Sequence, residues 1–292
     1  MDPLPKVLIV LGPTASGKSD LAVELALERN GEVISADSRQ VYKGLNIGSG
    51  KITPEEMKGV PHHLLDVVTP HEIFTASDFS FLARKAADDI ISRGKLPIIC
   101  GGTGFYIDAF LYGNSFAATP PDSRLRQDLE KLTTEEMAER LSELDPDRFA
   151  SIDKRNRARL IRALEINYST GEPVPSLEKK PVYDAEKIGI LWPMEELDKR
   201  IGLRLDKRLR RPEDGGGMIE EVKNLKFPAR GVGLSWERLY DLGLEYRYIS
   251  LYIKEELDYQ TMRDKLLTAI KQYARRQMTW FKRDKDIKWI EK

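Results

Sequence analysis

Residues 6–19 read KVLIVLGPTASGKS. From Lys6 to Leu11 the chain is a continuous apolar run rich in β-branched residues, the composition of a strand buried on both faces of a parallel sheet. A glycine-containing turn follows at once. From Ser19 to Glu28 the apolar residues Leu21, Ala22, Leu25 and Ala26 recur at helical spacing, and Asn30-Gly31 supplies a stop. Gly12 to Ser19, GPTASGKS, satisfies G-x-x-x-x-G-K-[ST] at each specified position and lies in the strand-to-helix context that the pattern requires.

Such a loop turns backbone N–H groups inward on an oligophosphate, and the helix after it adds the positive end of its dipole. Gly12, Pro13, Thr14, Ala15, Ser16, Gly17, Lys18 and Ser19 are therefore the candidate diphosphate- or nucleotide-binding residues. Lys18 supplies a mobile positive charge, the hydroxyls of Thr14 and Ser16 reach phosphate oxygens, and Ser19 offers a ligand to a phosphate-bound Mg²⁺.

Outward from this unit the alternation repeats. Glu32–Ser35 reads as a strand, His63–Val68 as another, Thr75–Arg93 as a helix and Leu96–Cys100 as a further buried strand. The expected fold is a P-loop NTPase-like α/β core with a mostly parallel sheet, plus a small all-helical insertion. Residues 122–170 are charged and helix-periodic, 169–181 carry several prolines, and Lys187–Trp192 returns as a strand. The core is thus expected at 1–117 and 184–292, with insertion and linker at 118–183. The remainder reads as helical, broken at Glu213–Gly217 and around Phe227–Gly233.

The 292 residues are 41% hydrophobic and 32% charged, which suits a globular chain with a full core rather than a disordered one. Lys+Arg and Asp+Glu each number 47, so net charge gives no pull toward nucleic acid or membrane, and any such preference must come from local clustering. The single cysteine, Cys100, excludes an intramolecular disulfide, fits a reducing cytoplasm and reads as a buried apolar residue. The run Val7–Leu11 is too short for a membrane span, so no membrane partner is expected. His62 and His63 have no acidic or Cys/His cluster at ligand spacing and read as structural.

The phosphate loop alone leaves two reactions open: a small-molecule or nucleoside kinase, and a transferase that holds a pyrophosphate leaving group. A switch or motor ATPase usually has a strand ending in Asp, whereas Leu96–Cys100 runs into Gly101-Gly102-Thr103-Gly104. The second strand ends in SADSRQVY (35–42), which puts Asp37 at a carboxyl edge where ligands of such sheets bind. Asp37 can be a Mg²⁺ partner, a general base or a helix N-cap.

GPTASGKS, SADSRQVYKGLNIGSGK (35–51), PHHLLD (61–66), GGTGFY (101–106), NRARLIRALEI (156–166) and YARRQMTWF (273–281) together resemble the tRNA dimethylallyltransferase family, in its order and over nearly the whole chain. The resemblance implies transfer of a dimethylallyl group from dimethylallyl diphosphate to N6 of adenosine 37, on the 3′ side of the anticodon of tRNA, with release of pyrophosphate. It implies that Thr14, Lys18 and Ser19, with Mg²⁺, and Arg204 hold the diphosphate, and that Asp37 takes the proton from N6. It also implies tRNA contacts at Asp37, Ser38, Arg39, Gln40, Thr103, Arg126, Arg159 and Arg162, and at Lys271, Gln272, Arg275 and Arg276. A cytoplasmic monomer is expected.

Three basic clusters give this reading electrostatic support. Lys154–Arg162, Lys199–Arg211 and Lys271–Lys285 are dense in Lys and Arg, the last interleaved with Tyr273, Trp280 and Phe281. Composition favours a packing role for Trp280 and Phe281. The sequence departs from the family pattern where a Gly-Tyr-[Lys/Arg] element is usual: Gly243-Leu244-Glu245-Tyr246-Arg247 puts Glu245 before the tyrosine. The stretch 210–217 and Lys271 also depart, which bears on tRNA contact rather than on the diphosphate site.

Overall fold

The computed structural model describes residues 3–112, 122–175, 180–210 and 216–292. Its contacts divide the chain into one unit made of 1–111 with 181–292 and a second made of 112–180.

The first unit opens with β1 (Lys6–Leu11), α1 (Lys18–Glu28), β2 (Gly31–Ser35), α2 (Pro54–Met57), β3 (His62–His63), α3 (Ala76–Ser92), β4 (Leu96–Gly101) and α4 (Gly104–Tyr112). The second unit holds α5 (Ser123–Glu130), α6 (Thr134–Leu144), α7 (Pro146–Ser151) and α8 (Arg157–Thr170). The first unit resumes with β5 (Asp184–Leu191), α9 (Met194–Leu209), α10 (Met218–Lys226), α11 (Trp236–Leu242), α12 (Leu244–Ile253), α13 (Tyr259–Phe281) and β6 (Lys288–Glu291).

The strands form a parallel sheet in the order β3-β2-β4-β1-β5-β6. The expected α/β core is therefore present. β1 lies at its centre, with Leu8 opposite Ile98 on one side and Glu186 on the other, and its residues Val7–Leu11 are all buried. α1 covers one face through Ala22, Val23, Leu25 and Ala26. α3 is set by a capping box at Thr75 and Asp78 and buries Ala76, Phe79, Ala83, Ala87 and Ile90, one stripe at three- and four-residue spacing. Burying such side chains contributes about 1.5–3 kcal/mol each for the larger ones.

Several strand ends shift by one to three residues from expectation, as at β5, which begins at Asp184 rather than Lys187, and two strand readings change more. The strand expected over His63–Val68 ends at His63, because Leu64 and Asp66 take left-handed backbone angles (φ 64° and 55°) that turn the chain out of the ladder. It then runs beside the second loop: Asp66 N–H donates to Gln40 O, Val67 N–H to Val41 O, and Tyr42 bridges Val68. The C-terminal segment expected to be helical ends in β6, which pairs with β5 from Ile188–Lys288 to Leu191–Glu291. Its exposed, charged ends mask the alternation by which a strand is read. The loop at 227–233 separates α10 from α11, while most of 213–217 lies outside the described residues.

In the second unit Leu129, Met137, Leu141, Leu160, Ala163 and Leu164 make a small core of their own. Asp122, Thr133, Asp145 and Asn156 cap its four helices, and Gly171 (φ 70°) ends α8. Among the described residues no helix is long and apolar enough to cross a membrane.

Candidate active site

The end of β1 delivers the chain into the phosphate loop, and α1 begins without a side-chain cap because Gly17 (φ 90°) stands at its N-cap. The first-turn N–H groups of an α-helix have no intrahelical acceptor, so this terminus faces the cleft as a cluster of donors. Three contacts from outside the loop fix its shape. Trp192 Nε1 donates to Ser16 O at 3.0 Å, Arg200 Nε donates to Ala15 O at 2.9 Å while lying over the Trp192 ring, and Thr14 N–H donates to Gln277 Oε1 at 2.9 Å. They hold Ala15 in a left-handed conformation (φ 63°) that costs an alanine about 1 kcal/mol or more.

Lys18 Nζ donates back to Pro13 O at 3.4 Å. Burial pushes its ammonium pKa below the ordinary lysine value; Arg204 adds to this, while Cys100 and Asp37 oppose it. An ammonium partly withdrawn from water, as the half-buried Lys18 is, gains more from an incoming phosphate than a fully hydrated one does. Arg204, on α9, reaches Thr14 Oγ1 at 3.4 Å and Gly50 O at 3.3 Å, and burial lowers its pKa too. Ser16 Oγ is buried without a hydrogen-bond partner.

Asp37 follows β2. Its Oδ1 accepts the N–H groups of Arg39 (2.8 Å) and Gln40 (3.3 Å), so the carboxylate caps its own turn and Oδ2 is left for another partner. The helix N-cap weighed for this residue does not form, because a turn and not a helix follows β2; the carboxylate caps that turn instead, which is compatible with a second role. Ser38 N–H donates to Thr103 Oγ1 at 3.3 Å, tying this loop to GGTG. Gln40 accepts from Ser35 Oγ and donates to Gly50 O, the carbonyl that also receives Arg204. Arg39 anchors the loop to Leu242 O. Tyr273 lines the same space, and burial pushes its phenol up to about 12, with Asp37 adding to the shift.

One cleft of about 670 Å³ contains Thr14, Ser16, Lys18, Ser19, Asp37 and Arg204 on its walls, together with Gln40, Tyr273 and Gln277. The phosphate loop and the acid after β2, separate in sequence, share it. Lys271 and Arg275 are drawn to Asp198 on α9 (3.6 and 3.0 Å), Arg276 lies near the Tyr273 ring, and Gln272 is exposed. In the second unit Arg126 and Arg162 both pair with the buried carboxylate of Glu165, and Arg159 is exposed. Phe281 is buried and Trp280 packs edge-to-face on Phe105, as composition favoured. Cys100 is buried beside α1, and burial raises its thiol to about 11. His62 bonds Val60 O and His63 bonds Glu32.

Gln277, Arg200 and Trp192 escaped the sequence reading. Gln277 sits inside YARRQMTWF and Arg200 inside a basic cluster, but nothing in either pattern says which side chains turn inward. The 243–247 departure also acquires a structural account: Glu245 pairs with Arg208 at 2.9 Å, and Tyr246 is buried with its hydroxyl on Glu221. Glu221 in turn accepts the N–H groups of Asn46, Ile47 and Gly48.

Residues 40–284 match the IPP transferase family. The chain belongs to this family. A family member named tRNA dimethylallyltransferase 2, from Citrifermentans bemidjiense, is 42% identical over 99% of this chain and 91% of its own length. A tRNA dimethylallyltransferase of Anoxybacillus flavithermus is 38% identical over 98% and 90%. Among solved structures, a eukaryotic dimethylallyltransferase acting on tRNA superposes with a TM-score of 0.81 at 26% identity, covering 98% of this chain and 74% of that one. The tRNA isopentenylpyrophosphate transferase of Staphylococcus epidermidis gives 0.68 at 35% identity, covering 98% and 93%.

Among the described residues no group of three or more His, Cys, Asp or Glu could hold a metal ion on its own. The donors present suit a different arrangement. Mg²⁺ commonly keeps its waters and takes one or two protein oxygens beside substrate phosphates, and Ser19 in the first turn of α1 is such an oxygen donor.

Proposed function

We propose that this IPP transferase family member is a tRNA dimethylallyltransferase: it transfers a dimethylallyl group from dimethylallyl diphosphate to N6 of adenosine 37 in the anticodon loop and releases pyrophosphate. The observation that carries the reading is the shared cleft, in which a carboxylate with one free oxygen stands on the same walls as an uncapped helix terminus, Lys18 and Arg204.

The exocyclic amine of adenine is a weak nucleophile, because its lone pair is delocalised into the ring. As N6 attacks the allylic carbon, positive charge grows on nitrogen, and Asp37 Oδ2 accepts the proton. The bond that breaks is the allylic C–O bond, and its electrons leave with pyrophosphate. Lys18, Arg204 and the first-turn N–H groups of α1 meet that negative charge, while Ser16 Oγ gains the partner it lacks. Mg²⁺ held by Ser19 and the diphosphate would add Lewis-acid stabilisation of the leaving group. The target base must leave its stack to reach Asp37, and the contacts among Ser38, Gln40 and Thr103 form the seat we assign to it. Arg126, Arg159, Arg162, Lys271, Gln272, Arg275 and Arg276 are proposed tRNA contacts. The Glu165 pairs orient Arg126 and Arg162, and the single buried cysteine suits a cytoplasmic enzyme.

The test is incubation with dimethylallyl diphosphate, Mg²⁺ and unmodified tRNA, with mass spectrometry of the digested nucleosides and an ATP-turnover control. The expected result is a dimethylallyl mass gain on adenosine without ATP consumption. No gain, with ATP consumed in the presence of a small-molecule acceptor, would replace this reading with a kinase.

A further inference from the structure

Gln277, on α13, hydrogen-bonds both the phosphate loop and the GGTG loop through the two ends of its amide. Oε1 accepts from Thr14 N–H at 2.9 Å, and Nε2 donates to Gly102 O at 2.8 Å. The residue is only 6% exposed, so neither bond is replaced by water without cost. The partners also fix the orientation of the amide, since an N–H requires the oxygen and a carbonyl requires the nitrogen. The fit is tight: a Cβ on Gly102 would fall 2.3 Å from Nε2.

The two loops joined in this way serve opposite halves of the proposed reaction. Thr14 belongs to the cradle for the leaving group and also meets Arg204 through its hydroxyl. Gly102 precedes Thr103, which holds the loop of Asp37 through Ser38. The distance between the acid and the leaving-group cradle is therefore spanned by three hydrogen bonds and one step along the backbone: from the Asp37 loop to Thr103, along the chain to Gly102, then to Gln277 and to Thr14. Only a neutral amide of this length can accept at one end and donate at the other. Glutamate has no donor for Gly102 and would add a negative charge beside the diphosphate. Methionine matches the length and makes neither bond.

Resting on the transferase reading above, we propose that Gln277 is a positioning residue for the reaction, one that sets the register between the diphosphate cradle and the proton acceptor without touching either reacting group. The consequence is a split between binding and chemistry. Gln277→Met should leave tRNA affinity unchanged, weaken inorganic pyrophosphate binding about fivefold to tenfold, and lower kcat about tenfold or more, because misplacement of about 1 Å is costly in a positioned reaction. Gln277→Glu should weaken pyrophosphate binding further through like-charge repulsion.

The experiment measures pyrophosphate binding by calorimetry in Mg²⁺, tRNA binding by filter retention, and kcat with KM for dimethylallyl diphosphate, on wild type, Gln277→Met, Gln277→Glu and Gly102→Ala. The last variant displaces the amide without removing it, and it should reproduce the kcat loss if the Met variant does not fold. Wild-type kcat and pyrophosphate affinity in folded Gln277→Met, or in Gly102→Ala, would overturn the positioning role. Wild-type protein that neither binds pyrophosphate nor prenylates tRNA would instead overturn the transferase reading, so the two failures are distinguishable.

Discussion

Glu32 and Asp37 belong to the two ends of β2 and meet opposite surroundings. Glu32, near the amino end, has a side chain only 3% exposed and surrounded by hydrogen-bonding groups: Arg93 bonds both its oxygens, Lys95 reaches Oε1 at 2.8 Å and His63 Nε2 meets Oε2 at 2.8 Å. The Arg93 bonds above all, helped by Lys95 and His63, hold its pKa far below the usual carboxylate range. Asp37, past the carboxyl end, takes two backbone N–H groups on one oxygen and faces a cleft with the other. At the amino edge of the parallel sheet the α3–β4 turn folds back to cross-link the strands. At the carboxyl edge the loops part and leave a carboxylate for a ligand.

The largest expected effect tests Asp37. Asp37→Asn keeps an oxygen for the Arg39 and Gln40 N–H groups and so keeps the turn, but it cannot take a proton at neutral pH. Turnover should fall about 10²–10⁴-fold with pyrophosphate affinity nearly unchanged. Wild-type turnover would reduce Asp37 to a cap and erase the contrast with Glu32. Next in size is Lys18→Ala, where loss of a partly desolvated charge from the leaving-group cradle should lower kcat/KM about 10²–10³-fold and weaken pyrophosphate binding. Unchanged kinetics would remove Lys18 from that cradle.

Much of this contrast is legible in the sequence, for unequal reasons. The carboxyl edge is read because its chemistry is contiguous: GPTASGKS and SADSRQ each carry their meaning within a few residues. The amino edge is not, since Glu32, His63, Arg93 and Lys95 come from three strand ends and a helix end and meet only after the sheet forms. The same holds for Gln277, whose partners at 14 and 102 are distant in the chain, and for Glu221, whose anion-like grip on the 46–48 turn has no local signature. The short β3 escapes because the chain first turns out of the ladder at Leu64, an apolar residue type that gives no warning of a left-handed backbone.

For the amino edge the expected effect is on stability, and its sign follows from the depressed pKa. A carboxylate whose pKa is lower folded than unfolded contributes stability that is fully present above the unfolded value of about 4.3 and is lost as pH falls toward the folded one. Glu32→Gln should therefore cost about 1–3 kcal/mol at pH 7. The gap between wild type and variant should narrow as pH falls below about 4.3. Urea unfolding at several pH values measures both. A gap that stays constant with pH would mean that shape, not charge, holds this edge, while turnover of the folded variant should stay near wild type either way.

The smallest expected effect isolates burial from charge count. Asp89 also pairs with Arg93, at 2.8 Å and one helical turn away, but its side chain is 62% exposed against 3% for Glu32. Water already satisfies most of what the exposed carboxylate would lose, and long side chains give up entropy to hold the pair. Asp89 also stands in the last turn of α3, where the helix dipole disfavours a negative charge, so removing it relieves one interaction while breaking another. Asp89→Asn leaves both Arg93 bonds to Glu32 in place. Its shift in urea midpoint should be about a fifth or less of that of Glu32→Gln. A double-mutant cycle of the two substitutions then reads their coupling through Arg93. If Asp89→Asn cost as much as Glu32→Gln, the amino edge would owe its stability to the number of charges around Arg93, and the buried position of Glu32 would no longer explain how it differs from Asp37.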